Sequence, residues 1–287
     1  MKVRIYLLLP ILVLLISCQK ASFRGTTQIT PGICQSSEEY VGANFMFMID
    51  NSGSMVEADC PSGDAADCGM TERERALLKA FDILTDATVS SELNEKAISS
   101  FSVAKFTPED RSLSIDEFHE PVQLTLETVP ENRDELAEVL RFNRRPEGDT
   151  PYLNALELGL RIQSTPQINH DLQKVLILVT DGEPTDRQPS MVREKAQEFD
   201  GKIVTIRVNY RDLNAEGRRS EHLRVMSENY PDWSLDQHPS IDAYVDDLLS
   251  LAGEISQDNV IEINSVNDLE TKFFEDIIKK TVPCLPE

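Results

Sequence analysis

Basic residues are in short supply: 28 Lys and Arg face 50 Asp and Glu in 287 residues, and the formal net charge is −22. A surface of that sign repels polyphosphates, which sets nucleic acid aside as a partner. Histidine is also sparse. His119, His170, His222 and His238 lie without metal-ligand spacing and read as surface residues or local hydrogen bonders. No Gly-x4-Gly-Lys-Ser/Thr loop, Gly-x-Ser-x-Gly elbow or His-Glu-x-x-His helix occurs, which removes three familiar routes to hydrolysis and phosphoryl transfer. Low-complexity sequence is scarce and no internal repeat is visible. With 40% hydrophobic residues, the chain is expected to fold around one sizeable core or two small ones.

Long apolar runs are absent too. The N-terminal run Leu7 to Ile16 follows Lys2 and Arg4, contains Pro10 and stops after ten residues, whereas a spanning helix needs about 20. It reads as a secretory signal, residues 1–17. The sequence Leu15-Ile16-Ser17-Cys18 resembles the lipobox of bacterial lipoproteins, which implies lipidation of Cys18 and anchoring to a membrane of the bacterial cell envelope. Gln19 at the next position implies the outer membrane where the envelope is Gram-negative. Loss of Lys2 and Arg4 with the signal takes the net charge from −22 to −24.

Cysteine parity agrees with this reading. Five cysteines are odd, but lipidation of Cys18 leaves Cys34, Cys60, Cys68 and Cys284, an even set for an oxidising compartment. Three pairings are open. The favoured one joins Cys60 to Cys68 across a short polar loop and Cys34 to Cys284 across the whole domain. The second closure would be worth roughly 5 kcal/mol at most in the chain-entropy model. Zinc fits poorly, since no pair has Cys-x2-Cys spacing. Residues 18–40 are polar and aperiodic, and read as a tether.

Beyond the tether, apolar runs alternate with helical periodicity. Strands are expected at Asn44–Ile49, Ile98–Phe106, Phe118–Leu126, Lys174–Thr180, Lys202–Val208 and Val260–Ile263. Helices are expected at Glu72–Ala87, Asn132–Phe142, Pro151–Ile162, Ile241–Ile255 and Val266–Thr281. Runs as apolar as KVLILVT belong inside a sheet covered on both faces. The fold class is therefore α/β, doubly wound and mostly parallel, with helices on both faces and one antiparallel edge strand after a hairpin near Arg111. Residues 211–240 break the rhythm and read as an insertion with one short helix.

Three loop motifs follow strands or open helices. Asp50-Asn51-Ser52-Gly53-Ser54 leaves the first strand, Gly148-Asp149-Thr150-Pro151 opens a helix, and Asp181-Gly182-Glu183-Pro184 leaves the most apolar strand. Singly, each is ordinary: turn residues in the first and third, an N-cap Thr followed by Pro in the second. Jointly, Asp50-x-Ser52-x-Ser54, Thr150 and Asp181 resemble the metal-ion-dependent adhesion site of von Willebrand factor type A domains. FMIDNSGSM, GDTPYLNALELGL, VLILVTDGEPTD and NSVNDLETKFFEDI resemble that family's flanking text. The resemblance runs from about Gly42 to Val282 and implies a domain at 41–284, with loop insertions at 56–70 and about 211–240.

The resemblance implies that Ser52 and Ser54 bind Mg²⁺ or Mn²⁺ directly and Thr150 directly or through water, while Asp50 and Asp181 hold coordinated waters. Hard oxygen donors suit those ions. An ion with few anionic ligands keeps an open position for a carboxylate, so the implied function is capture of a protein partner that presents Asp or Glu. Both insertions follow strands whose carboxyl ends face the site, and Tyr230 and Trp233 are candidate partner contacts there. Two alternatives stand beside this non-enzymatic reading: phosphoryl transfer or hydrolysis at strand-end aspartates, and a lipoprotein scaffold with a purely structural metal. A calcium loop starting Asp212-x-Asn214-x-Glu216-Gly217 is disfavoured, because its twelfth position is Leu223. Arg218, Arg219 and Arg224 read as a basic island on a solvated helix face.

Overall fold

The computed structural model describes residues 43–50, 52, 75, 77–82, 85, 100–106, 124–125, 129–141, 150–165, 168, 170–180, 182–186, 188–208, 212–229, 240–257 and 259–263. The five cysteines, Ser54, Asp181, Tyr230, Trp233, the loop 56–70, the hairpin near Arg111 and the helix expected at Val266–Thr281 lie outside them.

Alternation along the central strands sets up two cores. In β1 (Ala43–Asp50) every residue is buried. Phe45, Phe47 and Ile49 point to one side and Met46 and Met48 to the other. In β4 (Gln173–Thr180) Val175, Ile177 and Val179 divide from Leu176 and Leu178 in the same way. This is the period-2 consequence of the pleat, applied to strands that are covered twice.

One side packs against helical positions 77, 78, 80 and 81 and against Leu136, Ala137 and Leu140 of α1 (Val129–Arg141). Phe47 and Phe101 lie 4.5 Å apart by ring centroid, and Phe81 meets Phe101 edge-on at 5.4 Å. Such pairs add about 0.5–1.5 kcal/mol beyond area burial. The other side packs against α2 (Tyr152–Gln163), α3 (Pro189–Glu198) and α5 (Ile241–Ile255), with Met226 of α4 (Ala215–Asn229).

Five strands run parallel in the order β2 (Ser100–Phe106), β1, β4, β5 (Lys202–Val208) and β6 (Val260–Ile263). Leu124–Thr125, β3, pairs antiparallel with β2 through Ser100↔Thr125 and Phe101↔Leu124. The chain leaves β1 toward β2 and leaves β4 in the opposite direction, toward β5. The fold is thus a doubly wound α/β sheet whose order reverses between β1 and β4, and a crevice opens at such a switch point outside the carboxyl ends of the strands.

Two elements depart from expectation. The stretch 211–240 contains not a short helix but the 15-residue α4, whose His222 and Met226 are buried. The sequence also gave no sign of α3, which buries only Pro189 and Val192 within its bounds. Among the described residues, no helix is long and apolar enough to cross a membrane.

Candidate metal centre

β1 and β4 are paired through Ile49↔Val179, which sets Asp50 and Thr180 side by side at the strand ends. Asp50 is 0% exposed. A buried carboxylate is costly unless its oxygens are engaged. One oxygen accepts from the Ser52 backbone N–H at 2.7 Å and the other from the Thr180 hydroxyl at 2.6 Å. The Thr180 hydroxyl has one proton. The shorter contact to a carboxylate takes it, and the same oxygen then accepts from the Gly182 N–H at 3.1 Å. Ser52 is buried beside Asp50.

Thr150 is brought to this end of the sheet by the loop that follows β4. Its N–H donates to the Thr185 hydroxyl at 2.9 Å, and its carbonyl accepts from the Thr185 N–H at 3.1 Å. The expected N-cap role of Thr150 is not observed. Helix α2 starts at Tyr152, its N-cap is Pro151, and no side chain of that residue caps it. The cap comes from a distant residue: the Asp186 carboxylate accepts from the N–H groups of Tyr152 and Leu153, both at 2.9 Å. A carboxylate there satisfies two orphan donors and meets the positive end of the helix dipole. The Asp186 carbonyl in turn accepts from the Tyr244 hydroxyl of α5.

The same loop is anchored at Glu183. Arg207 of β5 approaches it at 3.0 Å and Arg218 of α4 at 3.5 Å, and both arginines reach Glu262 of β6 at 3.2 Å. Burial pushes the Glu183 carboxyl up from its ordinary range, while Arg207 and Arg218 pull it back. Tyr152 is fully buried, and burial, with Glu183 next, raises its phenol far above the ordinary range, so it keeps its proton. Its hydroxyl has no hydrogen-bond partner among the described residues.

Two expectations are revised here, and the disfavoured calcium loop is closed. His222 is neither on the surface nor near ordinary basicity: it is buried, bonds to the Pro184 carbonyl and has its pKa lowered to about 4, chiefly by desolvation. His170 is exposed. Arg219 and Arg224 do lie on a solvated face of α4, but they are not a basic island: Arg219 pairs with Asp242 and Asp246, and Arg224 with Glu221 and Glu228. The calcium-loop alternative fails because positions 215–223 are helical, with Asn214 accepting from the Gly217 N–H at 2.8 Å.

Among the described residues, no group of three or more His, Cys, Asp or Glu is placed to hold an ion. The candidate set is of another kind, one buried carboxylate with buried Ser and Thr residues, and its chemistry suits a hard divalent cation. Thr150 fits that use, because the bonds that fix it come from its main chain and the helix cap comes from Asp186. Thr180, Thr185 and Asp186 were not singled out from the sequence, since each acts on a residue more than 30 positions away.

No family model matches the chain, and no curated protein matches it. Similar solved structures include a von Willebrand factor type A protein from Catenulispora acidiphila, with 17% identity, covering 84% of this chain and 42% of that one, at a TM-score of 0.48. BatB from Bacteroides thetaiotaomicron is 13% identical over 83% of this chain and 98% of its own, with a TM-score of 0.46. A manganese-loaded TRAP protein from Plasmodium vivax is 12% identical over 87% of this chain and 76% of its own, with a TM-score of 0.43.

Proposed function

We propose that this chain is a lipid-anchored protein of the bacterial envelope whose folded domain is a von Willebrand factor type A module, and that it captures an acidic side chain of a protein partner through a divalent cation. Asp50, Ser52, Ser54, Thr150 and Asp181 are the residues that would hold Mg²⁺ or Mn²⁺. The supporting observation is the buried Asp50 carboxylate at the switch point of the sheet, one oxygen accepting from the Ser52 N–H and the other from the Thr180 hydroxyl. When bound, the ion supplies a Lewis-acidic position that accepts a carboxylate oxygen. The chain's own part is to orient the hydroxyls and the carboxylate, to exclude water around them, and to keep anionic ligands few, so that a stranger's carboxylate is still attracted.

Calorimetric titration of the purified domain with Mn²⁺ is expected to give one site, abolished by Ser52→Ala or Thr150→Ala in proteins that keep their far-UV spectrum. Capture of partners from envelope extracts should be lost on EDTA treatment and restored by Mg²⁺. Unchanged capture in EDTA and in Ser52→Ala would remove the adhesion reading. Metal-dependent phosphoester turnover lost in the same variants would replace it with the enzymatic one. Anchoring at Cys18 is checked separately, by the mass of the N-terminal peptide and by release of Cys18→Ala from the membrane fraction.

A further inference from the structure

We infer that Asp186, together with Thr185, is the positioning device of the candidate centre, a brace that fixes the Thr150 donor relative to Asp50. The inference rests on the metal-binding reading above and deepens it.

Thr180, Thr185 and Asp186 between them touch both halves of the donor set. At one end the Thr180 hydroxyl holds the Asp50 carboxylate at 2.6 Å. At the other, four hydrogen bonds cross to Thr150 and to the first turn of α2. Thr150 and Thr185 exchange two, at 2.9 and 3.1 Å, and the Asp186 carboxylate takes the Tyr152 and Leu153 N–H groups, both at 2.9 Å. Helix α2 brings no cap of its own, with an N-cap Pro151 and no acidic residue in its first turn. The direction in which the Thr150–Pro151 segment enters α2 is therefore set by a side chain from another loop. Asp186 is itself held: it is 6% exposed, and Tyr244 of α5 donates to its carbonyl.

Two donors about a hundred residues apart in sequence are thus connected through one short segment. Small hard cations tolerate little error in donor geometry, and groups behind the ligands commonly decide whether it is met. A cap with no role beyond α2 would change stability and leave ion affinity alone. A brace changes the affinity of a protein that is still folded.

The test compares wild type, Asp186→Ala, Asp186→Asn and Thr185→Val by Mn²⁺ titration, at a temperature well below the melting of every variant, with hydrogen exchange read at the Tyr152 and Leu153 amides. Asp186→Ala is expected to weaken Mn²⁺ binding about 10- to 100-fold and to speed exchange at both amides. Asp186→Asn keeps one acceptor oxygen and should recover part of the affinity. Thr185→Val is nearly isosteric and retains the Asp186 cap, so it stays folded and should weaken binding without faster exchange at Leu153. Wild-type affinity in Asp186→Ala and in Thr185→Val, with fast exchange at Tyr152 and Leu153 in the former, would make Asp186 a structural cap and overturn the brace while leaving the metal reading intact. Absence of Mn²⁺ binding in wild type would overturn both.

Discussion

His222 lends itself to a pH experiment at the scale of one residue. Its ring is buried between α4 and the loop after β4, donates to the Pro184 carbonyl, and has an Nε2 without a partner among the described residues. Desolvation lowers its pKa from 6.5 to about 4, so the unfolded chain binds the proton more readily than the folded one. Stability is then complete above pH 6.5 and falls as pH drops toward about 4, with a maximal loss of about 3 kcal/mol. Glu183 acts in the opposite sense, because a raised carboxyl pKa favours the folded state as pH falls, but it is common to both proteins in a comparison. Urea midpoints of wild type should therefore decline more steeply between pH 6.5 and 4.5 than those of His222→Asn, and parallel declines would refute the assignment. Nothing about position 222 betrayed this in the sequence, because its burial depends on a loop some 40 residues upstream. Thr150 shows the converse. Its type and place suit an N-cap, yet that local reading fails, because the cap is Asp186, which approaches from outside the segment.

Elements were legible in proportion to how completely they are covered. β1, β4 and β5 are buried on both faces, and their apolar runs fixed both their existence and their bounds to within a residue or so. Helix α5 was equally plain, with Tyr244, Val245, Leu248, Leu251, Ala252 and Ile255 on one stripe. Helices α3 and α4 were not. Each buries only two side chains within its bounds, Pro189 and Val192 in one and His222 and Met226 in the other, and carries ion pairs on the rest of its surface, such as Arg193 with Asp247 or Arg219 with Asp246, so no apolar stripe marks it. The junction from α3 into β5 carries a sharper constraint. A Cβ on Gly201 would stand 2.4 Å from the Lys174 carbonyl oxygen and 2.8 Å from the Phe199 ring, and a main-chain atom inside a sheet cannot withdraw. Gly201→Ala should cost about 1–3 kcal/mol of unfolding free energy, as overpacking typically does. Because Gly201 precedes β5, at the end of the sheet away from Asp50, Mn²⁺ affinity well below the melting point should stay at the wild-type value. A variant as stable as wild type would show that the junction relaxes, and one that loses Mn²⁺ while folded would show that the two ends of the sheet are coupled.

For the molecule as a whole, the net charge of −22 and the proposed acidic target pull against each other. Large exposed apolar side chains offer no compensation in the described residues, where Met191 at 37% exposure is the one that stands out. With such a target, encounter would be governed by a long-range field that repels, and bound lifetime by a short-range contact that attracts. The two respond to salt differently. Screening shortens from about 30 Å at 0.01 M to about 8 Å at 0.15 M ionic strength, so added salt removes the repulsion acting across the approach and leaves a carboxylate already at the cation nearly unaffected. Association of an acidic peptide or partner, followed by stopped flow in Mg²⁺ buffer, should accelerate several-fold as potassium chloride rises over that range, while dissociation changes by less than about twofold. This is the reverse of ordinary electrostatic steering. An association rate that falls with salt would overturn the repulsive encounter and mean that the partner meets this surface through a basic patch of its own.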